Sequence, residues 1–218
     1  MLICIMGNSG SGKNTLLDEL LSSIRFTNRL TTVTTRPRRP LEDCSEYLFA
    51  NDADWKKYIK NNQLIEYREY KVANGEVWKY GTIKDQFSKA LSDDVYITTC
   101  TPKQFTAYYN ELPEDKKYML YPIVLYVDSD KDRLARMLRR VDTLDDVKEV
   151  CRRFYSDDEY IDIKYIPEKY IYHNNTKNDL IIICNNISKI INEPQLQIEH
   201  HELMSNKSNL KGIIKEDK

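Results

Sequence analysis

The stretch "MLICIMGNSGSGKNTLLDELL" constrains this chain more than any other part of it. A short apolar run, Leu2 to Met6, stops at Gly7, and further glycines stand at 10 and 12 before Lys13. The run "TLLDELLSSI" that follows has apolar residues at helical spacing. Strand, glycine-rich loop and helix in that order predict an α/β chain with a buried first strand. Glycines allow the loop to bend with its N–H groups pointing inward, and the helix adds the positive end of its dipole. A lysine closing such a loop can reach the outer phosphates of a nucleotide. The pattern G-x-x-x-x-G-K in this setting predicts a phosphate cradle built from Gly7, Asn8, Ser9, Gly10, Ser11, Gly12, Lys13, Asn14 and Thr15.

One position departs from the usual form. The residue after the lysine, where a hydroxyl normally meets Mg²⁺, is Asn14. Thr15 comes one residue late, because successive helical residues point about 100° apart. The expectation is a complete phosphate grip with Asn14 as a weak metal ligand. Mg²⁺ would then be held mainly by water and nucleotide phosphates, an arrangement this ion accepts readily.

The 218 residues suffice for one α/β domain with an inserted subdomain or a tail. Lys+Arg number 33 against 34 Asp+Glu, a balance that argues against a general polyanion binder, so no nucleic-acid partner is expected. The cysteines at 4, 44, 100, 151 and 184 are scattered and lack metal spacing, which reads as reduced thiols in a cytoplasmic protein. No apolar run approaches the ~18 residues of a membrane span. The opening "MLICIM" is too short for a secretion signal.

Further along, "RLTTVTT" is β-branched and extended up to "RPRRP", and "DADWKKYIKNN" reads as a helix with Asp52 or Asp54 near its start. "QLIEYREYKV" and "EVWKYGT" flank "ANG" as a hairpin. "DVYITTC" and "YPIVLYV" are buried-strand candidates, each followed by a helical stretch, and "KYIYHN" is a last strand. Leu180, Ile183, Cys184, Ile187 and Ile191 share one stripe of a C-terminal core helix. From Pro194 the chain is polar with weak periodicity and reads as a tail, residues 194–218; His200 and His201 in it have no partner at metal-ligand spacing. Strands alternating with helices predict a mostly parallel sheet covered on both faces.

"TTVTTRPRRPLEDCSEYLF", "YIKNNQLIEYREY" and "WKYGT", in that order after the loop, resemble guanylate kinases over residues 1–193. The resemblance implies a five-stranded parallel P-loop core (1–31 and 83–193), an inserted mixed α/β subdomain binding the nucleoside monophosphate (32–82), and a helical lid at about 139–150. It implies ATP and Mg²⁺, with GMP or dGMP as acceptor, in a monomer or homodimer. Arg36 and Arg39 would grip the acceptor phosphate, held extended by Pro37 and Pro40, with Tyr47 and Tyr80 beside them. Guanidinium forks suit paired phosphate oxygens. One residue fewer than usual separates Glu42 from Tyr47.

Glu66 would read the base, because a carboxylate accepts from both N1–H and the 2-amino group of guanine but faces a lone pair on adenine. Thr32 and Thr82 match the positions around that base. Arg136, Arg140 and Arg153 match the lid and catalytic arginines, with Arg152 adjacent, and Asn174 matches a residue near the adenine. A second departure is Thr98, Thr99, Cys100 and Thr101, standing where the family carries acidic residues. Another nucleoside monophosphate or a phosphorylated ribose as acceptor, or a non-catalytic binding module, are the competing implications.

Overall fold

In the computed structural model, residues 1–38, 47–72, 75–92, 94–139, 141–155 and 166–213 are described. Arg39 and Arg140 lie outside them. Five strands form a parallel sheet: β1 (Leu2–Met6), β2 (Thr27–Arg29), β7 (Val95–Thr99), β8 (Leu120–Tyr126) and β9 (Ile171–His173), in the order β2-β7-β1-β8-β9. All five residues of β1 are buried, as its unbroken apolar run requires of a central strand covered on both faces. Helices α1 (Lys13–Ser23), α4 (Pro102–Glu111) and α7 (Lys177–Asn192) supply Leu16, Leu20, Phe105, Tyr108, Ile183 and Ile187 to the core around it.

The chain leaves this sheet to build a second one. Strands β3 (Thr32–Thr34), β4 (Tyr47–Phe49), β5 (Leu64–Lys71) and β6 (Val77–Ile83) lie in the order β4-β3-β6-β5, with α2 (Asp52–Lys60) beside them. β5 and β6 form the expected antiparallel pair. Val33, Trp55, Leu64 and Ile83 make a separate small core. Asn51 caps α2, accepting from Asp54 N–H at 2.9 Å, so Asp52 and Asp54 fall in its first turn. Helices α3 (Lys84–Ala90), α5 (Asp130–Leu138) and α6 (Leu144–Tyr155) complete the frame, and α7 opens on a capping box of Thr176 and Asp179.

The segment after Pro194 differs from its reading as a tail. It forms α8 (Pro194–Met204) and a 3₁₀ turn at Lys207–Leu210, and Met204, Leu210 and Ile213 are fully buried in the main core. Its inward face includes His200, which pattern reading counts as polar. His200 is 1 % exposed; its Nδ1 lies 2.8 Å from the Tyr170 hydroxyl and its Nε2 2.8 Å from the Tyr118 carbonyl. A carbonyl can only accept, so Nε2 carries the hydrogen, Nδ1 accepts from Tyr170, and the ring is neutral.

Burial, aided by the nearby charges of Lys169 and His201, depresses the His200 pKa to about 4. Below the ordinary value of about 6.5 the unfolded chain takes up a proton that the native chain refuses. The stability this site contributes is therefore complete above pH about 6.5 and is lost as pH falls toward 4, by about 3 kcal/mol in all. Urea unfolding at pH 7.5 and pH 5 should show about 2 kcal/mol of that loss, and His200→Phe should flatten it.

Candidate active site

The phosphate loop sits between the end of β1 and α1, and its backbone requires its glycines. Gly10 and Gly12 have φ of 82° and 95°, the left-handed region. A Cβ on Gly7 would come within 2.4 Å of the Leu125 carbonyl oxygen, and one on Gly12 within 2.5 Å of Asn174 Nδ2. Lys13 Nζ donates to the carbonyls of Gly7 at 2.7 Å and Asn8 at 3.0 Å, which curls the side chain over the loop. Ser11 is buried within the loop.

Asn174, far along the chain, completes this frame. Its amide donates to the Ser11 carbonyl at 2.8 Å. The guanidinium of Arg136 in turn donates to the carbonyls of Asn174 and Asn175, both at 2.8 Å. Arg136 is thus committed to the turn that carries Asn174 and is not on the wall of the cleft that holds Lys13.

Several of the other predicted residues line one cavity. A cavity of ≈ 530 Å³ is lined by Gly7, Asn8, Ser9 and Lys13 on one side and by Thr32, Tyr47 and Tyr80 on the other, with Arg153 and its neighbour Arg152 over it. That volume is in the range of ordinary ligand sites. Arg36, 4 % exposed, lies with its guanidinium carbon 5.3 Å from the Tyr47 ring centre and 5.6 Å from that of Phe49. The Tyr80 ring meets Tyr47 edge-on at 6.0 Å, which joins Arg36, Tyr47 and Tyr80 in one cluster. Arg152 and Arg153 both donate to Glu149, at 2.7 to 2.9 Å, and Arg152 is the first cause of that carboxyl's lowered pKa.

Glu66 and Thr82 face each other in the β5–β6 register, just behind the cavity wall. The Thr82 hydroxyl donates to Glu66 Oε1 at 2.9 Å and lies 2.7 Å from the Tyr108 hydroxyl. Gln104 Nε2 donates to Tyr108 at 2.7 Å and to Thr82 at 3.1 Å. Burial, and then the Glu66 charge, push the Tyr108 pKa well above its ordinary value, so this phenol stays protonated. Thr82 is 0 % exposed, and its hydroxyl holds the Glu66 carboxylate in place. Gln104 and Tyr108 went unrecognised in the sequence because they look like ordinary core-helix residues.

The cavity carries five cationic side chains: Lys13, Arg29, Arg68, Arg152 and Arg153. Among its described lining residues there is no carboxylate. Asp18 and Glu149, which pair with Arg29 and with Arg152 and Arg153, stand outside the lining. A low-dielectric cleft of one charge sign draws in a polyanion. The same residues bear on Mg²⁺. Asn14 and Thr15 are exposed on α1 and outside the lining, while Thr98, Thr99, Cys100 and Thr101 offer hydroxyl, thiol and carbonyl groups. No cluster of acidic or His/Cys ligands occurs among the described residues. This donor set does not fit a protein-held Mg²⁺, which favours one or two carboxylates.

The sequence model of the guanylate kinase family matches residues 1–193. The chain belongs to the guanylate kinase family. It is 36 % identical over 92 residues to the guanylate kinase of Thermobifida fusca, covering 42 % of this chain and 44 % of that protein. It is 34 % identical over 101 residues to the guanylate kinase of Bacillus anthracis, covering 44 % and 47 %. The matched stretch thus spans less than half the length of these curated relatives. The crystal structure of guanylate kinase from Anaplasma phagocytophilum superposes with a TM-score of 0.56 at 18 % identity, over 90 % of this chain and 86 % of that one, and bears on the fold alone. The buried α8 segment lies beyond the family match. No helix among the described residues is long and apolar enough to cross a membrane.

Proposed function

We propose that this protein transfers the terminal phosphoryl group of ATP to GMP or dGMP, with the insert of residues 32–82 as the acceptor-binding subdomain and residues 139–150 as the lid. The observation that carries the reading is the single cationic cavity shared by the phosphate loop and the Tyr47–Tyr80 wall. An oxygen of the acceptor phosphate attacks the γ-phosphorus, the bond to the β–γ bridging oxygen breaks, and ADP leaves. The acceptor oxygen is anionic near neutral pH, so no general base is needed. Catalysis is positioning and charge neutralisation.

Lys13 and the loop N–H groups hold the donor, with Asn174 bracing the loop. Arg36, Arg39, Tyr47 and Tyr80 hold the acceptor phosphate, Thr32 and Glu66 its base. Arg152 and Arg153, pinned by Glu149, face the transferring group from the lid helix, where excluding water protects it from hydrolysis. Mg²⁺, where required, travels on the phosphates of ATP and supplies charge there. Among the described lining residues no carboxylate is available to hold it.

ATP with each common nucleoside monophosphate, followed by coupled ADP release with and without Mg²⁺, tests the reading. GMP and dGMP should turn over well above AMP, CMP and UMP. Equal rates with all acceptors would overturn the assignment, and an ADP signal with a phosphorylated ribose alone would replace it. Failure to bind either ATP or GMP by calorimetry would identify a non-catalytic module.

A further inference from the structure

We propose that Arg68 is an additional acceptor-binding residue, a cation that contacts the monophosphate end of the bound nucleotide. The inference rests on the acceptor-site reading above and deepens it. Arg68 lies on β5, two residues beyond Glu66 and on the same face of the strand, about 7 Å further along it. In the β5–β6 register it stands opposite Tyr80, as Glu66 stands opposite Thr82. The two positions mark a direction. Glu66 and Thr82 define the base end, Tyr80 with Tyr47 and Arg36 the phosphate end, and Arg68 is level with the second.

Its reach across the cleft is fixed. Arg68 Nη1 donates to Thr101 Oγ1 at 2.8 Å, and that hydroxyl also caps α4 by accepting from Gln104 N–H at 3.2 Å. The bond ties the insert to the end of the core sheet and sets the plane of the guanidinium on the cavity wall. Thr101 belongs to the threonine and cysteine stretch that replaces acidic residues. The Thr101 hydroxyl is a neutral acceptor, so this bond orients the guanidinium and leaves it a cation. The guanidinium shares its cleft with Lys13, Arg152 and Arg153. A cleft lined by cations, with no carboxylate among its described lining residues, draws in an anion, and the anion at this level is the acceptor phosphate.

The test compares GMP, guanosine and ATP as ligands of the full chain, by calorimetry for the nucleotides and NMR titration for the nucleoside. R68A should weaken GMP binding about 10- to 100-fold, the worth of a charge-assisted hydrogen bond. Guanosine and ATP affinities should stay at the parent's. R68K should recover part of the GMP affinity. R68Q, which can keep the bond to Thr101 without the charge, should not, and this pair keeps the test decisive if R68A folds poorly. Equal weakening of GMP and guanosine would mark Arg68 as a merely structural tie and overturn the inference, as would loss of ATP binding with GMP unaffected. A parent chain that binds no GMP would overturn the functional reading, and this inference with it. A parent that binds GMP while R68A and R68Q match it would overturn the inference alone.

Discussion

Lys13→Ala is expected to lower turnover about 10²- to 10³-fold, the usual cost of removing one preorganised charge from a site where charge moves in the transition state. The geometry explains why so little else should change. Lys13 opens α1, is half-buried, and bonds to the carbonyls of Gly7 and Asn8; it takes no part in the main core. In the proposed cycle the ammonium exchanges these carbonyls for phosphate oxygens, so its contacts strengthen as negative charge develops. In the same cycle the acceptor is held by Tyr47 and Tyr80, lining residues outside the phosphate loop, so GMP affinity should survive the substitution. Coupled ADP release and calorimetric GMP titration of the same variant separate the two effects. A variant that turns over near the parent's rate would remove the loop from the chemistry. One that loses GMP binding as well would mean the loop had collapsed.

How much of this was legible in the sequence depended on how local each feature is. The strand–loop–helix start, the β5–β6 pair and the apolar stripe of α7 are set within a few residues, so pattern and spacing reveal them. The cradle's lysine and glycines belong to the same class. The bonds that close the site do not. Asn174 meets Ser11 across 163 residues, Arg68 meets Thr101 across 33, and Arg136 holds the Asn174 carbonyl across 38. Nothing in the local pattern of "ARML" separates an arginine that faces substrate from one that braces a turn; only the fold decides it.

The α8 segment escaped for another reason. Its buried face is built from His200, Met204, Leu210 and Ile213, too sparse and too mixed for a helical stripe. Gln104 shows the reverse case: a polar residue of α4, it is 1 % exposed, and its Nε2 donates to both Tyr108 and Thr82 while its Oε1 has no hydrogen-bond partner among the described residues. Burial of a polar side chain is a tertiary fact, and here the buried network also holds the Glu66 carboxylate.

That network determines what Glu66→Gln should do. In the parent, the Thr82 proton is given to Glu66 Oε1, while Thr82 itself accepts from Gln104 Nε2, with Tyr108 completing the ring of contacts. The Thr82 donor fixes one oxygen of residue 66 and leaves the carboxylate oriented for the N1–H and 2-amino donors of guanine. A glutamine would offer its oxygen to Thr82 and so turn its amide N–H groups toward the base, setting donor against donor. The lost charge-assisted bonds and the unsatisfied buried groups together cost about 3 kcal/mol, roughly 100-fold in kcat/KM for GMP. AMP presents a bare N1 at that edge, which an amide N–H can satisfy, so its kcat/KM should hold or rise. The preference between the two purines should therefore shrink by more than the maximal rate with GMP falls, because residue 66 is remote from the transferring phosphoryl. Competition between GMP and AMP for limiting ATP measures that ratio directly. An unchanged ratio in Glu66→Gln would mean that the carboxylate does not touch the base, and the Thr82–Tyr108–Gln104 network would then be a brace of the hairpin against α4.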